Sequence, residues 1–363
     1  MSKILITGGL GFIGHHLAIK LSQKGHKIAV LDNLSRPYTT TGNSLKRPDK
    51  NYNWDYLDKY YPKIEKYLKD IRNREEIVKI FQFFQPEIII HAAGQTSAID
   101  SIRNPRVDFE NNVDGLFNIL NSAKESQNAT DFIYFSTNKV YGNNVGKIPL
   151  VEGKSRYIPE EKNFNGFTET LSIDHSIHTP YGISKLTGDL YVQEFGQIYN
   201  MKNTVFRLSC IYGDQQFGIH GQGFISYMFL NAISGKPIQI YGNGKQVRDL
   251  LYIDDLAILI EKYLSSTSNL NPQLFNQKSR VYNIGGGINN TISLLELVRE
   301  FELILGKKLK TEFSNWRLGD QKLYISEISK IYSDIGWKPN INPELGIKKL
   351  TKWVEVNRSL FFN

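Results

Sequence analysis

Five short apolar runs, KILIT, KIAVLD, PEIIIHA, DFIYFS and NTVFRL, recur along the first part of the chain. They are rich in β-branched and aromatic residues, as strands buried on both faces require. Between them lie helix-length amphipathic stretches such as FIGHHLAIKLSQKG, which Gly25 closes. Repeated strand-then-helix order demands parallel crossovers, so the pattern predicts an α/β fold built on a doubly wound parallel sheet. One stretch breaks the rhythm. Tyr38 to Pro62, which contains SLKRPDKNYNWDYLDKYYP, is polar, aromatic and without a clean period. It is expected to be an extended surface loop after the second strand, either a clamp or subunit contact or an inert insertion. Beyond Arg207 the glycine-rich turns FGIHGQG, YGNGKQ and IGGGINN divide shorter elements, which predicts a second, smaller α/β lobe. The segment SSTSNLNPQLFNQKS reads as a solvent-facing linker.

Composition narrows this picture without redirecting it. With 363 residues and 40% hydrophobic content the chain can bury a large core, and two lobes are expected because single cores stop growing at roughly 250 to 300 residues. No secretory leader pattern and no membrane-length apolar run is visible, and the single cysteine, Cys210, forms no internal disulfide. A cytoplasmic protein with no membrane partner is expected, with Cys210 a small buried hydrophobe. The net charge of +8 comes from 44 Lys and Arg spread in short groups. Such a spread suits the attraction of an anionic small substrate and lacks any nucleic-acid motif. No metal-ligand spacing is present, so no metal is expected.

The first strand runs into TGGLGFIG, Thr7 to Gly14, and then directly into a helix. Gly8, Gly11 and Gly14 let the backbone turn sharply and approach a pyrophosphate, whose charge sits at the helix N-terminus. Asp32 ends the second strand 18 residues past Gly14. A carboxylate there accepts hydrogen bonds from both hydroxyls of an adenosine ribose and repels a 2′-phosphate, so NAD is the expected cofactor. Further on, HTPYGISK puts Pro180 at a helix start and places Tyr181 and Lys185 four apart on one helical face. A phenol is a poor base at neutral pH, but an ammonium and a cationic nicotinamide beside it both favour the phenolate. Tyr181 could then take the proton of a sugar hydroxyl while hydride leaves the same carbon.

Taken with KDIRN, HAAGQ, STNKVYG, RLSCIYG, the GNGKQVRD run and WRLGDQ, these motifs resemble the extended short-chain dehydrogenase/reductase family of sugar-nucleotide epimerases and dehydratases, over nearly the whole chain. The resemblance implies a Rossmann-type NAD-binding domain over residues 1–206, regaining a segment near 246–275, and a nucleotide-sugar-binding domain over 207–363. It implies Thr137, Tyr181 and Lys185 as catalytic residues. Phe12, Ile13 and Asn33 would join the glycines and Asp32 around NAD. Asp70 and Ile71 would border the adenine, and Ala92, Ala93, Gly94, Asn112, Ser136 and Ser209 would lie along the cofactor. Arg248 and Arg317 match arginines that grip the substrate diphosphate, and KPIQIYG lies where the family meets the nucleobase. A homodimer joined through helices near Val107 to Gln127 and Tyr181 to Asn200 is implied as well.

The family divides by the fate of the sugar once a hydroxyl has been oxidised. In its dehydratases the two residues after the catalytic Thr are Asp and Glu, whereas here they are Asn138 and Lys139. Neither an amide nor an ammonium replaces a carboxylate acid/base pair, so epimerisation is expected, with both residues near the sugar. STNKVYG, HTPYGISK, GFTETLSID and RDLLYIDD look most like the branch that inverts C2 of CDP-linked sugars through a transient 2-keto sugar. Many 4-epimerases carry Asn in the position matching Cys210. A UDP-sugar 4-epimerase, a reductase and a non-catalytic NAD-binding regulatory protein remain open alternatives.

Overall fold

The structure of the protein is a computed structural model that describes residues 1–35, 52–126, 128–129, 131–269 and 279–362. The five apolar runs form the strands Lys3–Thr7, Lys27–Asp32, Ile88–His91, Asp131–Thr137 and Lys202–Leu208. Glu65–Leu68 and Ser279–Ile284 complete a seven-stranded sheet. Its order, from one edge, is Ser279–Ile284, Lys202–Leu208, Asp131–Thr137, Ile88–His91, Lys3–Thr7, Lys27–Asp32 and Glu65–Leu68, and every pairing is parallel. The strand order reverses at Lys3–Thr7, which creates a topological switch point and, outside its carboxyl end, a crevice for a ligand.

Alternation along the strands fills two cores. Ile4, Ile6, Val30, Ile90 and Ile133 pack on one face of the sheet, while Leu5, Ala29, Leu31, Ile89 and Phe132 pack on the other. On the second face lie helix Arg74–Phe84, helix Gly115–Glu125 and the twenty-residue helix Pro180–Tyr199. Pro180 stands in the first turn of that helix, and Thr179 caps it by accepting from the Gly182 amide at 3.2 Å. Helix Phe12–Gln23 lies on the first face, packed against helix Ile253–Asn269. Lys20 pairs with Glu261 across this contact at 3.0 Å.

The expected loop from Tyr38 to Pro62 needs correcting where it is described, because Tyr52–Tyr60 is a helix. Asn53 and Leu57, four apart, are buried, and the Asn53 amide donates to Leu10 O at 2.8 Å. Tyr52, Tyr56 and Tyr60 line up along the helix with ring centroids 6.0 and 4.7 Å apart. The helical period is carried by tyrosines and one buried amide, which an apolar count misses. Tyr38 to Asn51 lie outside the described residues. Similarly, Ser265 to Asn269 of the expected linker end helix Ile253–Asn269, Ser279 opens the edge strand, and residues 270–278 lie outside the described part.

The second lobe is organised around strand Val247–Tyr252. It pairs antiparallel with Thr291–Ser293 and parallel with Leu323–Tyr324 and Cys210–Tyr212. A separate parallel pair joins Ile238–Tyr241 to Thr311–Ser314. Among the described residues no helix is long and apolar enough to cross a membrane.

Candidate active site

The glycine turn sits at the switch point. Gly8 has φ +64°, and a Cβ there would come within 2.6 Å of Ala93 N. A Cβ on Gly14 would lie 2.2 Å from Gly8 O. The turn is therefore packed too closely for any side chain, and Gly11, Phe12 and Ile13 carry it into the helix. Asp32 ends its strand with the carboxylate held by the amides of Leu10 at 3.1 Å and Leu34 at 2.9 Å. Asn33 donates to Asp70 at 2.9 Å, and Arg72 forks onto the same carboxylate, holding its pKa down at about 2. Ile71 is buried next to Gly115. Ala92 N bonds Thr7 O at 3.0 Å, which brings Ala92, Ala93 and Gly94 to the end of the neighbouring strand.

Asn112 lies in a π-helical turn, Glu110–Asp114, a device found at functional sites. Its side chain is engaged within the protein. Oδ1 accepts from Gln95 N at 2.8 Å, and Nδ2 has Gln95 O, Asp108 Oδ1 and Ser184 Oγ around it at 3.0, 3.2 and 3.0 Å. It pins the 93–95 loop to the helices. Ser136 is buried and donates to Asp189 at 2.8 Å, while Ser209 donates to the Asp249 carboxylate. Both hydroxyls thus have protein partners.

Thr137 and Tyr181 come together. Thr137 ends strand Asp131–Thr137 and is buried near the Tyr181 phenol, whose ionised form it favours. Burial pushes Tyr181 up to about 12, against the pull of Thr137 and with the Asp108 carboxylate adding to the rise. The expected shift toward phenolate is therefore not a property of the protein groups alone, because burial outweighs it. Lys185 is also buried, with Nζ 4.2 Å from the centroid of the Tyr134 ring. Burial lowers its pKa to about 7, opposed by the charges of Asp189 and Asp108. Such perturbed groups at a strand end mark a site with chemical work.

Asn138 is buried and Lys139 half-buried beside them. Lys139 Nζ donates to Gly319 O at 3.0 Å, which ties the Thr137 turn to the WRLGDQ loop. Burial, with Arg248 nearby, lowers Lys139 to about 8. Arg317 forks onto Asp320 at 3.1 Å for both bonds and lies 4.5 Å over the Tyr241 ring. Arg248 is half-buried, donates to its neighbour Val247 O at 2.7 Å, and has its pKa lowered by burial and by Arg317 against the carboxylates of Asp320 and Asp249. Three cations, Lys139, Arg248 and Arg317, thus act on one another near two carboxylates, Asp320 and the buried Asp249. That excess suits an anionic ligand. Cys210 is half-buried against this group, its thiol pushed up to about 11 by burial, so it is no nucleophile.

A model of the NAD dependent epimerase/dehydratase family matches residues 4–285. The chain belongs to that family. It is therefore an enzyme, and its cofactor is NAD. CDP-paratose 2-epimerase of Salmonella typhi is 33% identical, with 97% of this chain and 98% of that protein covered. A putative UDP-glucose 4-epimerase of Methanocaldococcus jannaschii is 30% identical, covering 98% and 99%. The crystal structure of UDP-glucuronic acid 4-epimerase from Bacillus cereus with UDP-glucuronic acid and NAD superimposes with a TM-score of 0.78 at 23% identity, covering 98% and 99%. The residues present fit NAD: a glycine cradle with no space for a Cβ faces the switch point, and a fixed carboxylate closes the second strand.

Sequence reasoning passes over Asp108, Tyr134 and Asp189, which act on Lys185, and over Arg207, which pairs with Asp189. Arg207 is 4% exposed and Asp189 fully buried, joined by bonds of 2.9 and 3.0 Å. The signal is available, since Arg207 interrupts the apolar strand NTVFRL and a buried charge there requires a partner.

Proposed function

We propose that this enzyme inverts C2 of a CDP-linked sugar through a transient 2-keto sugar, in the manner of CDP-paratose 2-epimerase. The observation that carries the reading is the strand end itself. Thr137 meets Tyr181 with Asn138 and Lys139 directly after it, so the acid/base pair is present and no carboxylate pair for dehydration stands beside it. NAD, when bound, supplies reversible hydride storage. Tyr181 takes the hydroxyl proton and later returns it; Thr137 holds the same oxygen; Lys185 supplies positive charge beside the phenol. Lys139, Arg248 and Arg317 hold the diphosphate, which leaves the sugar free to present its other face. Gly8, Gly11 and Gly14 cradle the pyrophosphate of NAD, and Asp32 takes the ribose hydroxyls.

The 33% identity to CDP-paratose 2-epimerase supports the C2 assignment. A UDP-sugar 4-epimerase is the second reading, favoured by the 30% relative of that kind. Incubation with CDP-sugars and UDP-sugars without added NAD, followed by NMR at C2 and C4, separates them. Inversion at C4 alone, or stoichiometric reduction of added NAD, would remove the first reading.

We also infer a homodimer in the cytoplasm, and a lobe division near residue 206 after which the chain returns to the first lobe with helix Ile253–Asn269 and strand Ser279–Ile284. Phe109, Phe117, Ile183, Leu190, Tyr191 and Ile198 are exposed on the helices around 105–125 and on Pro180–Tyr199, an apolar face a second copy would cover. Sedimentation as a monomer at micromolar concentration would exclude that dimer.

A further inference from the structure

Lys185 is an amine buried without a direct ion-pair partner among the described residues, standing over the Tyr134 ring. Two carboxylates act on it, Asp189 and Asp108. Asp189 is already taken: Arg207 grips both of its oxygens at 2.9 and 3.0 Å, and Ser136 and Gln193 add 2.8 and 2.7 Å bonds. Asp108 is different. It is 1% exposed on the short helix Pro105–Phe109, which packs against the catalytic helix. Its side chain accepts from the Asn112 amide at 3.2 Å, and the same amide lies 3.0 Å from the Ser184 hydroxyl, so the groups next to it are neutral. Ser184 directly precedes Lys185, and its hydroxyl also reaches Tyr181 O at 3.1 Å. The buried cluster therefore holds two cations and two carboxylates, and once Arg207 and Asp189 neutralise each other, Lys185 and Asp108 are left.

We propose that Asp108 is the counter-charge of Lys185, a positioning residue that keeps the amine an ammonium beside Tyr181. This rests on the reading of Tyr181 and Lys185 as the acid/base pair. Burial alone would strip the proton from Lys185, and a neutral amine gives Tyr181 no electrostatic help. Burial raises Asp108 itself, with Lys185 opposing the rise, and the Asp108 carboxylate adds to the rise of Tyr181, so the ammonium must offset it there; the other groups facing the pair keep their charge state near neutrality. Tyr134 below is pushed well up by burial, His91 is lowered to about 3 by burial and by Lys185, and Arg207 is held charged by Asp189.

Asp108→Asn keeps shape and hydrogen bonding and removes the charge. Because the folded pKa of Lys185 lies below its unfolded value, the native state gains stability as pH rises between the two. Without Asp108 that gain starts at lower pH, and at high pH the variant also lacks a lone buried carboxylate. The melting temperature of the purified holoprotein should therefore be lower than wild type near pH 6, and the gap should close or reverse by about pH 9. The alkaline limb of kcat should move at least about one unit toward acid, a tenfold or larger loss near pH 8 with KM little changed. Ser184→Ala, which removes a contact and keeps the charge, should leave that limb in place. A melting-temperature gap constant with pH, or an unshifted alkaline limb, assigns Asp108 to packing and overturns the proposal. If wild type turned over no nucleotide sugar the proposed reaction would fall, while the melting comparison would still decide the pairing.

Discussion

Replacing Arg207 by Met tests the buried charge cluster most directly. Arg207 on strand Lys202–Leu208 and Asp189 on helix Pro180–Tyr199 are both fully enclosed, and the guanidinium also donates to Tyr141 OH at 3.0 Å. Tyr141 in turn donates to Asn283 Oδ1 at 2.7 Å, so one arginine links the catalytic helix to a second strand of the sheet and to the turn after Thr137. Methionine fills comparable volume but leaves Asp189 with only Ser136 and Gln193 as donors. Stranding a buried charge in this way costs about 3 to 5 kcal/mol. With 363 residues and an unfolding entropy of ~2.1 cal/mol/K per residue, the melting temperature should fall by about 4 to 7 °C at fixed protein concentration. Calorimetry, with Arg207→Met alone and combined with Asp189→Asn, is the assay. The double variant should recover at least half of the loss. A single-variant loss below about 1 kcal/mol, or a double variant no better than the single, would mean that Arg207 does not neutralise Asp189.

Tyr181→Phe removes the proton carrier and should lower kcat by about 10² or more while the protein still releases its full complement of NAD on heating. Near-normal turnover would take Tyr181 out of the mechanism. Arg248→Met removes a half-buried cation from the anion cleft and should raise KM for the nucleotide sugar by about 10- to 100-fold with kcat largely kept; an unchanged KM would detach Arg248 from substrate.

Much of the frame is legible in the sequence because its signals are local. Five strands, the glycine turn and the capped start of the catalytic helix each depend on a few adjacent residues, and each stands where the pattern puts it. Strand Glu65–Leu68 escapes such a reading because EKYL, at the edge of the sheet, carries no apolar alternation. Helix Tyr52–Tyr60 escapes it because its period is written in tyrosines. Legibility of the site stops at the same boundary. Thr137 and Tyr181 are 44 positions apart, and their meeting is implied by the family pattern; the surroundings of Lys185 are not, because Asp108, Tyr134, Asp189 and Arg207 come from four separate elements.

That blind spot has a physical content. Along the chain, every charged residue can be assigned either to a ligand or to solvent, and the arginines and lysines of this protein invite that assignment. The fold adds a third destination: charges that exist to hold other charges in place. Asp189 is needed because Arg207 is buried, and Lys185 needs Asp108 because a dry cleft would otherwise neutralise it. Burying two such pairs costs stability that apolar residues would not, so the arrangement is reasonable only where an ammonium must persist out of water. In this fold that place is the carboxyl end of strand Asp131–Thr137, where Thr137 and Tyr181 meet.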